Sequence, residues 1–372
     1  MKNVFNKALI DLTASHINRQ FTDFDQTAFI ELASHDLEHR ELKDRANQIY
    51  LALKEYLPQN FEDAVEILLS TLLPVEDNVE LDKLSSSDSG LVGWIVLPYT
   101  QYIGELGQGN LALSLDALKQ LTKRFTSEFG IRYLLLSHPN ETLSIIQSWC
   151  DDPCHHVRRL VSEGTRPLLP WAMQLPVFKQ QPSFIIPLLT QLKNDESEYV
   201  RRSVANNLND IAKHHPDLVA DLAEKWLVGA DKNTLRMVKH GCRTLIKQGH
   251  KKTLSLFGYD SPINISVSVT TAQKTVLFGE SLSVAILIKN NAEQPQNILL
   301  DYVVYHQKAN GKLTPKVFKW KTLVLAANEQ IELTKSHVFK AISTRKYYSG
   351  SHKYAIQING KELAEHEFNL TM

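Results

Sequence analysis

The amino-acid sequence predicts a mainly α chain, an α-solenoid of stacked helix pairs, followed by a C-terminal all-β sandwich. Three observations carry that reading. Through nearly all of the first 260 residues apolar side chains recur at spacings of three and four, as in Phe61, Ala64, Val65, Leu68 and Leu69, the period of a helix with one buried face. From Ile263 onward the pattern becomes alternation, Ile263, Ile265 and Val267 and then Val284, Ile286 and Ile288 falling on one side, the period of a half-buried strand. Within the helical part, a register of prolines, apolar residues and arginines repeats itself.

The repeat is read as follows. Pro139, Pro182 and Pro216 each open an apolar helical run, suiting the first turn where the missing N–H costs nothing. Arg159, Arg202 and Arg236 each stand 20 residues after one of these prolines. Trp149, Leu192 and Trp226 each stand 10 after, and the two tryptophans read as core. The repeat lengths of 43 and 34 fall in the range of HEAT-like helix pairs. On the middle arginine-bearing helix Val200, Val204, Leu208 and Ile211 form an inward stripe, with Arg202 on another side. The first copy sets Arg159, Glu163 and Arg166, and the third Arg236, His240 and Arg243, at i, i+4 and i+7. Stacked repeats therefore line up basic groups with a few acids among them, which suits a surface that tracks a phosphate backbone. A solvated face held by Arg–Glu pairs is the simpler account of any one of these helices alone, and three copies in register weigh toward the phosphate surface.

In the β part about seven short strands fit, and Asn359-Gly360 joins two of them with the dipeptide favoured in type I′ hairpins. That spacing suggests an Ig-like sandwich without the Cys and Trp hallmarks of antibody domains. The change of period falls at Gly258 to Pro262, so residues 1–258 are expected to form the helical domain and 263–372 the β domain.

With 372 residues, 43% hydrophobic and 22% charged, the chain has material for two cores and no disordered composition. No run of about 18 apolar residues occurs, and the N-terminal stretch turns polar without a small-residue cleavage site, so a soluble, cytoplasmic protein with no membrane partner is expected. Three cysteines make no disulfide framework. The zero net charge is unevenly spread. Residues 1–90 carry 8 basic and 17 acidic side chains, residues 91–260 carry 20 and 16, and residues 261–372 carry 13 and 8. Local basic stripes in the last two thirds can hold DNA even though the whole is neutral. Lys312, Lys316, Lys319 and Lys321 form one such run, read either as a DNA patch or as a charged edge strand.

Several chemistries find no support. Cys150, Cys154, His155 and His156 lack a second matching pair for zinc, and neither a phosphate loop nor GxSxG is present. No metal and no cofactor are expected. The glycines from Gly104 to Gly109 read as a loop between helices.

Three segments, HHVRRLVSEGTRPLLPW at 155–171, DESEYVRRSVANNLNDIAKHHPDL at 195–218 and RELKDRANQIYLALKEYLP at 40–58, resemble the DNA alkylation repair glycosylases of the AlkC and AlkD type, the AlkC branch in particular. The resemblance runs over essentially all of residues 1–258, and an Ig-like C-terminal domain is known in some AlkC members. It implies a monofunctional enzyme acting on double-stranded DNA. Cationic N-alkylated bases, chiefly 3-methyladenine and also 3-methylcytosine, would be removed without flipping the damaged nucleotide into a closed pocket. Glu128, Glu163, Asp210 and Trp171 match the family's acidic site and its aromatic residue, and Arg159 matches a DNA-contacting arginine. A protein acting as a monomer is expected.

The chemistry stands by itself as well. A base methylated on a ring nitrogen is already positive and departs without a general acid. The protein has to stabilise an oxocarbenium-like sugar and direct a water to its anomeric carbon, and carboxylates do both. Glu163, between Arg159 and Arg166, should be ionised, with its pKa lowered rather than raised. Asp210, on the equivalent helix of the next repeat, is placed to converge on the same sugar. Glu128 stands between Arg124 and Arg132 at i−4 and i+4. Trp171 reads either as a contact to exposed deoxyribose or base, or as a core residue. Two other functions remain open on the residues alone: a non-catalytic repeat scaffold for proteins, and a DNA-structure-binding protein that no longer cuts.

Overall fold

The protein, seen in a computed structural model, is described over residues 2–262, 264–271 and 273–372. Ile263, the start of the expected alternation and of the expected β domain, lies outside them. The helices are α1 (Lys7–Gln20), α2 (Gln26–Ser34), α3 (Leu42–Tyr56), α4 (Phe61–Ser70), α5 (Val96–Leu106), α6 (Leu111–Thr122), α7 (Ile131–Ser137) and α8 (Pro139–Gln147). They continue with α9 (His155–Gly164), α10 (Pro176–Gln180), α11 (Ile186–Leu192), α12 (Glu198–Ala212), α13 (Pro216–Leu227), α14 (Lys232–Gly241), α15 (Arg243–Lys247) and α16 (Lys251–Leu256). None is long and apolar enough to cross a membrane. Side-chain caps set several starts: Asn60 accepts from the amides of Glu62 and Asp63, and Asn6, Asp25 and Asn110 cap α1, α2 and α6. Pro139 and Pro216 open α8 and α13 as expected, whereas Pro182 opens a 3-10 turn and the helix follows from Ile186.

Packing divides the chain into two units, Met1–His214 with Gly229–Gly241, and His215–Val228 with Cys242–Met372. In the first unit α9 packs on α12 and α12 on α14. The expected stripe on α12 is the buried one, Val200, Val204 and Leu208 being fully inaccessible. The first arginine of each Val-Arg-Arg triplet is structural. Arg158 donates to the carbonyls of Asp152 and Pro153 in the turn before α9, and Arg201 donates to those of Asp195 and Glu196 before α12. Asp152 and Asp195 in turn accept from the amides of Cys154 and Ser197. The two copies are joined by Arg158, whose Nε and Nη2 grip the Asp195 carboxylate at 2.6 and 2.9 Å.

One expectation for this unit is corrected. Helical periodicity runs nearly throughout, as expected, its gap being residues 71–95 between α4 and α5, which form short 3-10 turns and isolated β bridges, held by Leu73 donating to the Leu91 carbonyl and Leu91 to that of Thr71, each at 2.9 Å. Gly104 is not in a loop. It is buried inside α5, where a Cβ would stand 2.2 Å from the Gly130 carbonyl oxygen, and a Cβ on Gly130 would stand 2.1 Å from that of Thr100. Hydrogen as the side chain at both positions lets α5 touch the backbone that leads into α7.

Among the described residues the second unit holds α13, α15 and α16 together with eight strands, one more than the sequence suggests. They are β1 (Ile265–Thr270), β2 (Thr275–Leu277), β3 (Ser281–Asn290), β4 (Gln296–Gln307), β5 (Leu313–Leu325), β6 (Gln330–Val338), β7 (Gly350–Ile358) and β8 (Lys361–Thr371). One sheet has the order β1-β3-β6 and the other β2-β8-β7-β4-β5, antiparallel except for β2 beside β8. The alternating residues Val284, Ile286 and Ile288 point into the core between the sheets, opposite Ile298, Leu300, Tyr354 and Ile356. Asn359 and Gly360, with φ of 46° and 79°, make the left-handed turn expected between β7 and β8.

Among the described residues of this core are the buried histidines His306, His337 and His352. His306 on β4 and His352 on β7 stand 5.9 Å apart by ring centroids, and His337 on β6 stands 6.3 Å from His306. Burial, followed by the Arg345 guanidinium, depresses the pKa of His306 to about 3 and that of His337 to about 4, and burial also lowers that of His352. These rings are neutral in the folded unit, while in an unfolded chain they take up protons below pH ~6.5. Their contribution to stability is therefore complete above that pH and is lost as the pH falls toward 4. The thermal midpoint followed by Trp320 fluorescence should drop between pH 6.5 and 4, and His337→Phe should flatten that drop. An identical pH profile for wild type and variant would contradict it.

Candidate active site

The site is built where the last turns of α9 and α12 meet. Glu163 is the penultimate residue of α9, and Asp210 lies in the last turn of α12. Between them stands Arg166, whose Nη1 is 2.6 Å from Glu163 Oε1 and whose Nε is 2.9 Å from Asp210 Oδ2. Ser203 Oγ donates to the other Glu163 oxygen at 2.6 Å, and Lys213 Nζ to Asp210 Oδ1 at 3.0 Å. Arg159, on α9, reaches across to Glu128 at 2.6 Å, stands 3.6 Å from Glu163, and donates to Thr126 Oγ1 at 2.8 Å. Its guanidinium lies 4.8 Å over the ring of Tyr199. All three acids are thus gathered and each is matched to a cation. Glu128, Glu163 and Asp210 are 9%, 5% and 2% exposed. Burial pushes the Glu163 carboxyl up, yet Arg159, Arg166 and the Ser203 hydroxyl together hold its pKa below the ordinary carboxylate value.

Trp171 occupies the turn after α9. It is 61% exposed and has a φ of 66°, a left-handed conformation that costs strain for so bulky a residue. Lys43 Nζ donates to its carbonyl at 2.6 Å. The turn is secured from inside by Arg132, fully buried, which donates to the carbonyls of Gly164, Arg166 and Met173 at 2.9, 2.9 and 2.6 Å. Burial lowers the pKa of Arg132 to about 10, so it remains charged at neutral pH. A cleft of about 870 Å³ opens here, lined by Glu128, Glu163, Arg166 and Trp171 and by an aromatic wall of Trp94 before α5, Phe125 and Phe129 before α7, and Tyr133 on α7.

Similarity to known proteins runs the length of the chain. The HEAT repeat family matches residues 185–215, and the family described as the C-terminal Ig-like domain of the uncharacterised protein YhaZ matches residues 266–372. YhaZ of Bacillus subtilis (strain 168) is 35% identical over 363 residues, 97% of this chain and 96% of the relative. The solved structure of the Pseudomonas fluorescens alkylpurine DNA glycosylase AlkC, bound to DNA containing an abasic site analogue, superposes with a TM-score of 0.89 at 31% identity, covering 100% of this chain and 99% of the other. The chain belongs to the AlkC branch of the AlkC and AlkD family. HEAT-like helical repeats followed by an Ig-like β domain are its fold.

Against that AlkC frame, several sequence-based placements change. Glu128 is not on a helix between Arg124 and Arg132, since residues 125–130 precede α7. Arg124 donates instead to the Leu73 carbonyl and Arg132 to carbonyls at and beyond the end of α9, and the partner of Glu128 is Arg159 from α9. Arg166 is not on an exposed helical stripe: α9 ends at Gly164, and Arg166 is 8% exposed between two acids. Arg202 and Arg236 are exposed and come together at Glu198, at 3.1 and 3.4 Å. Arg243 does not continue the helix of Arg236, because α14 ends at Gly241 and Arg243 opens α15. Lys316 and Lys319 are exposed on β5, an edge strand of the five-stranded sheet. Trp149 and Trp226 are buried, each 4% exposed. Sequence reasoning passed over Ser203, Thr126, Tyr199 and Lys43, which meet partners in distant segments, Thr126 also bonding Glu128 two residues on.

Removing Arg166 would leave two buried carboxylates facing each other without their shared cation. Arg166→Leu should therefore destabilise the helical unit by roughly 3–5 kcal/mol in urea unfolding. A loss below about 1 kcal/mol, the scale of an exposed pair, would show that the contact contributes little.

Proposed function

We propose that this protein is a DNA glycosylase of base excision repair. It hydrolyses the N-glycosidic bond of cationic alkylated bases in duplex DNA, 3-methyladenine and also 3-methylcytosine, without flipping the damaged nucleotide. The observation that carries the reading is the convergence of Glu163 and Asp210 on one guanidinium, at 2.6 and 2.9 Å, next to a strained and exposed Trp171. The structural neighbour is itself an alkylpurine DNA glycosylase bound to abasic-site DNA, which supports the same class of chemistry here.

In this mechanism the bond between C1′ and the base breaks heterolytically. The base keeps the electron pair, which cancels its positive charge, and the sugar becomes an oxocarbenium ion. Glu163, held ionised by its arginines, stabilises that cation. Asp210 and Glu128 orient a water that adds to C1′ and accept its proton, which passes to solvent. Trp171 packs against the deoxyribose. Residues 1–258 carry this chemistry and 263–372 form the Ig-like domain, and the protein acts as a monomer without cofactor or metal. Arg202, Arg236, Arg243, Lys316 and Lys319 are assigned to the DNA backbone. Arg159 and Arg166 serve both the backbone and the acids they hold.

Incubation with methylated duplex DNA should liberate free 3-methyladenine. Glu163→Gln and Asp210→Asn, checked for folding by circular dichroism, should each lose roughly 10²–10³ in rate, the scale for removing one charge-stabilising group. A folded wild type that frees no base would sink the enzyme and leave a DNA-binding repeat protein. Arg202→Ala and Arg236→Ala should each flatten the slope of log affinity against log salt by about 0.9. Unchanged slopes would remove those arginines from the phosphate row.

A further inference from the structure

The cleft beside the acids has a wall that hydrolysis leaves unused. Trp94, Leu97 and Gln101 from α5 and the turn before it, Phe125 and Phe129 from the segment leading to α7, and Tyr133 on α7 line it, all half-buried. The Trp94 and Phe125 rings stand 5.0 Å apart at 46°, so they present apolar faces at an angle rather than filling the space by stacking. Gln101 Nε2 donates to Asn47 Oδ1 at 3.3 Å, which sets two amides side by side on the same lining. Amides offer both donors and acceptors. The charged lining is Asp44, Glu128 and Glu163 with Lys43 and Arg166, and Arg159 pairs with both glutamates, so the acids and cations here balance and the wall itself offers apolar faces and amides. At about 870 Å³ the cleft is of small-molecule size, and aromatic faces with a few polar groups are the usual furniture of a site for a flat heterocycle.

We propose that this cleft binds the free alkylated nucleobase, a neutral planar heterocycle, after its bond to the sugar is cut. The base stacks on the Trp94 and Phe125 faces and its polar edge meets the Gln101 and Asn47 amides. The source of the base rests on the glycosylase reading, whereas the affinity of the cleft stands independently of it. Retention of the base there makes it a product inhibitor.

Titration calorimetry of the full chain with 3-methyladenine should give saturable binding, and ribose 5-phosphate should give none. Gln101→Ala should weaken the binding about tenfold, the effect of losing one hydrogen-bond partner, and Leu97→Trp should weaken it at least as much by crowding the wall on which the base lies. Thermal unfolding checks that each variant is folded, and Gln101→Ala, at a half-exposed position, keeps the test valid should Leu97→Trp fail. Added 3-methyladenine should also slow base release from methylated DNA by the wild type. No binding and no inhibition in a wild type that still releases base overturns the cleft and leaves the activity standing. Saturable binding by a chain that releases no base supports the cleft and removes the activity. Unchanged affinity in the folded variants overturns the cleft as well.

Discussion

The Arg166 guanidinium, shared by Glu163 and Asp210, is the contact on which the rest of the helical unit depends. Carboxylates this deeply buried are tolerated only when paired and hydrogen-bonded. Three acids are met by Arg159, Arg166 and Lys213, with Ser203 and Thr126 supplying further bonds. Because the acids come from α9, α12 and the segment before α7, satisfying them fixes three elements of the repeat array against one another. Arg132 extends the same logic to backbone, holding three carbonyls of the turn that presents Trp171.

The paired arginines of the Val-Arg-Arg triplets divide two tasks. Arg158 and Arg201 turn back to the carbonyls before their own helices, where loop backbone would otherwise go unsatisfied. Arg159 and Arg202, one residue on, are rotated by about 100° around the helix and therefore leave the packed turn. Their environments differ all the same. Arg202 is exposed and shares Glu198 with Arg236, while Arg159 is enclosed by Glu128, Glu163 and the face of Tyr199. Identical positions in a repeat thus give an exposed, surface-paired group in one copy and an enclosed counter-ion for buried acids in another, according to what the neighbouring element supplies.

The β unit reaches its order by a different route. Strand alternation buries one row of Val, Ile and Tyr between two sheets, and that row is almost wholly apolar. Its polar members include Asn290 at the end of β3, and His306, His337 and His352, which sit among Tyr302, Phe339 and Phe368 as neutral rings, His306 taking a bond from Arg345 at 2.6 Å. Lys316 and Lys319 lie on its edge strand, where charge also discourages pairing with another sheet.

By itself the sequence determined the two periods, the break near Gly258, the Asn359-Gly360 turn, the buried stripe of α12 and the presence of acids among arginines. All of these are written in neighbouring positions, because side-chain spacing records which face of an element meets the core. Tertiary structure alone decided the partners. Glu128 looks local to Arg124 and Arg132 yet pairs with Arg159, Lys43 holds the carbonyl of a tryptophan 128 residues away, and Gly104 is explained only by the carbonyl of Gly130 pressed against it. Periodicity says that a side chain is covered and is silent on what covers it, so charge pairing, the exposure of Trp171 and the aromatic cleft came into view only when distant segments were brought together.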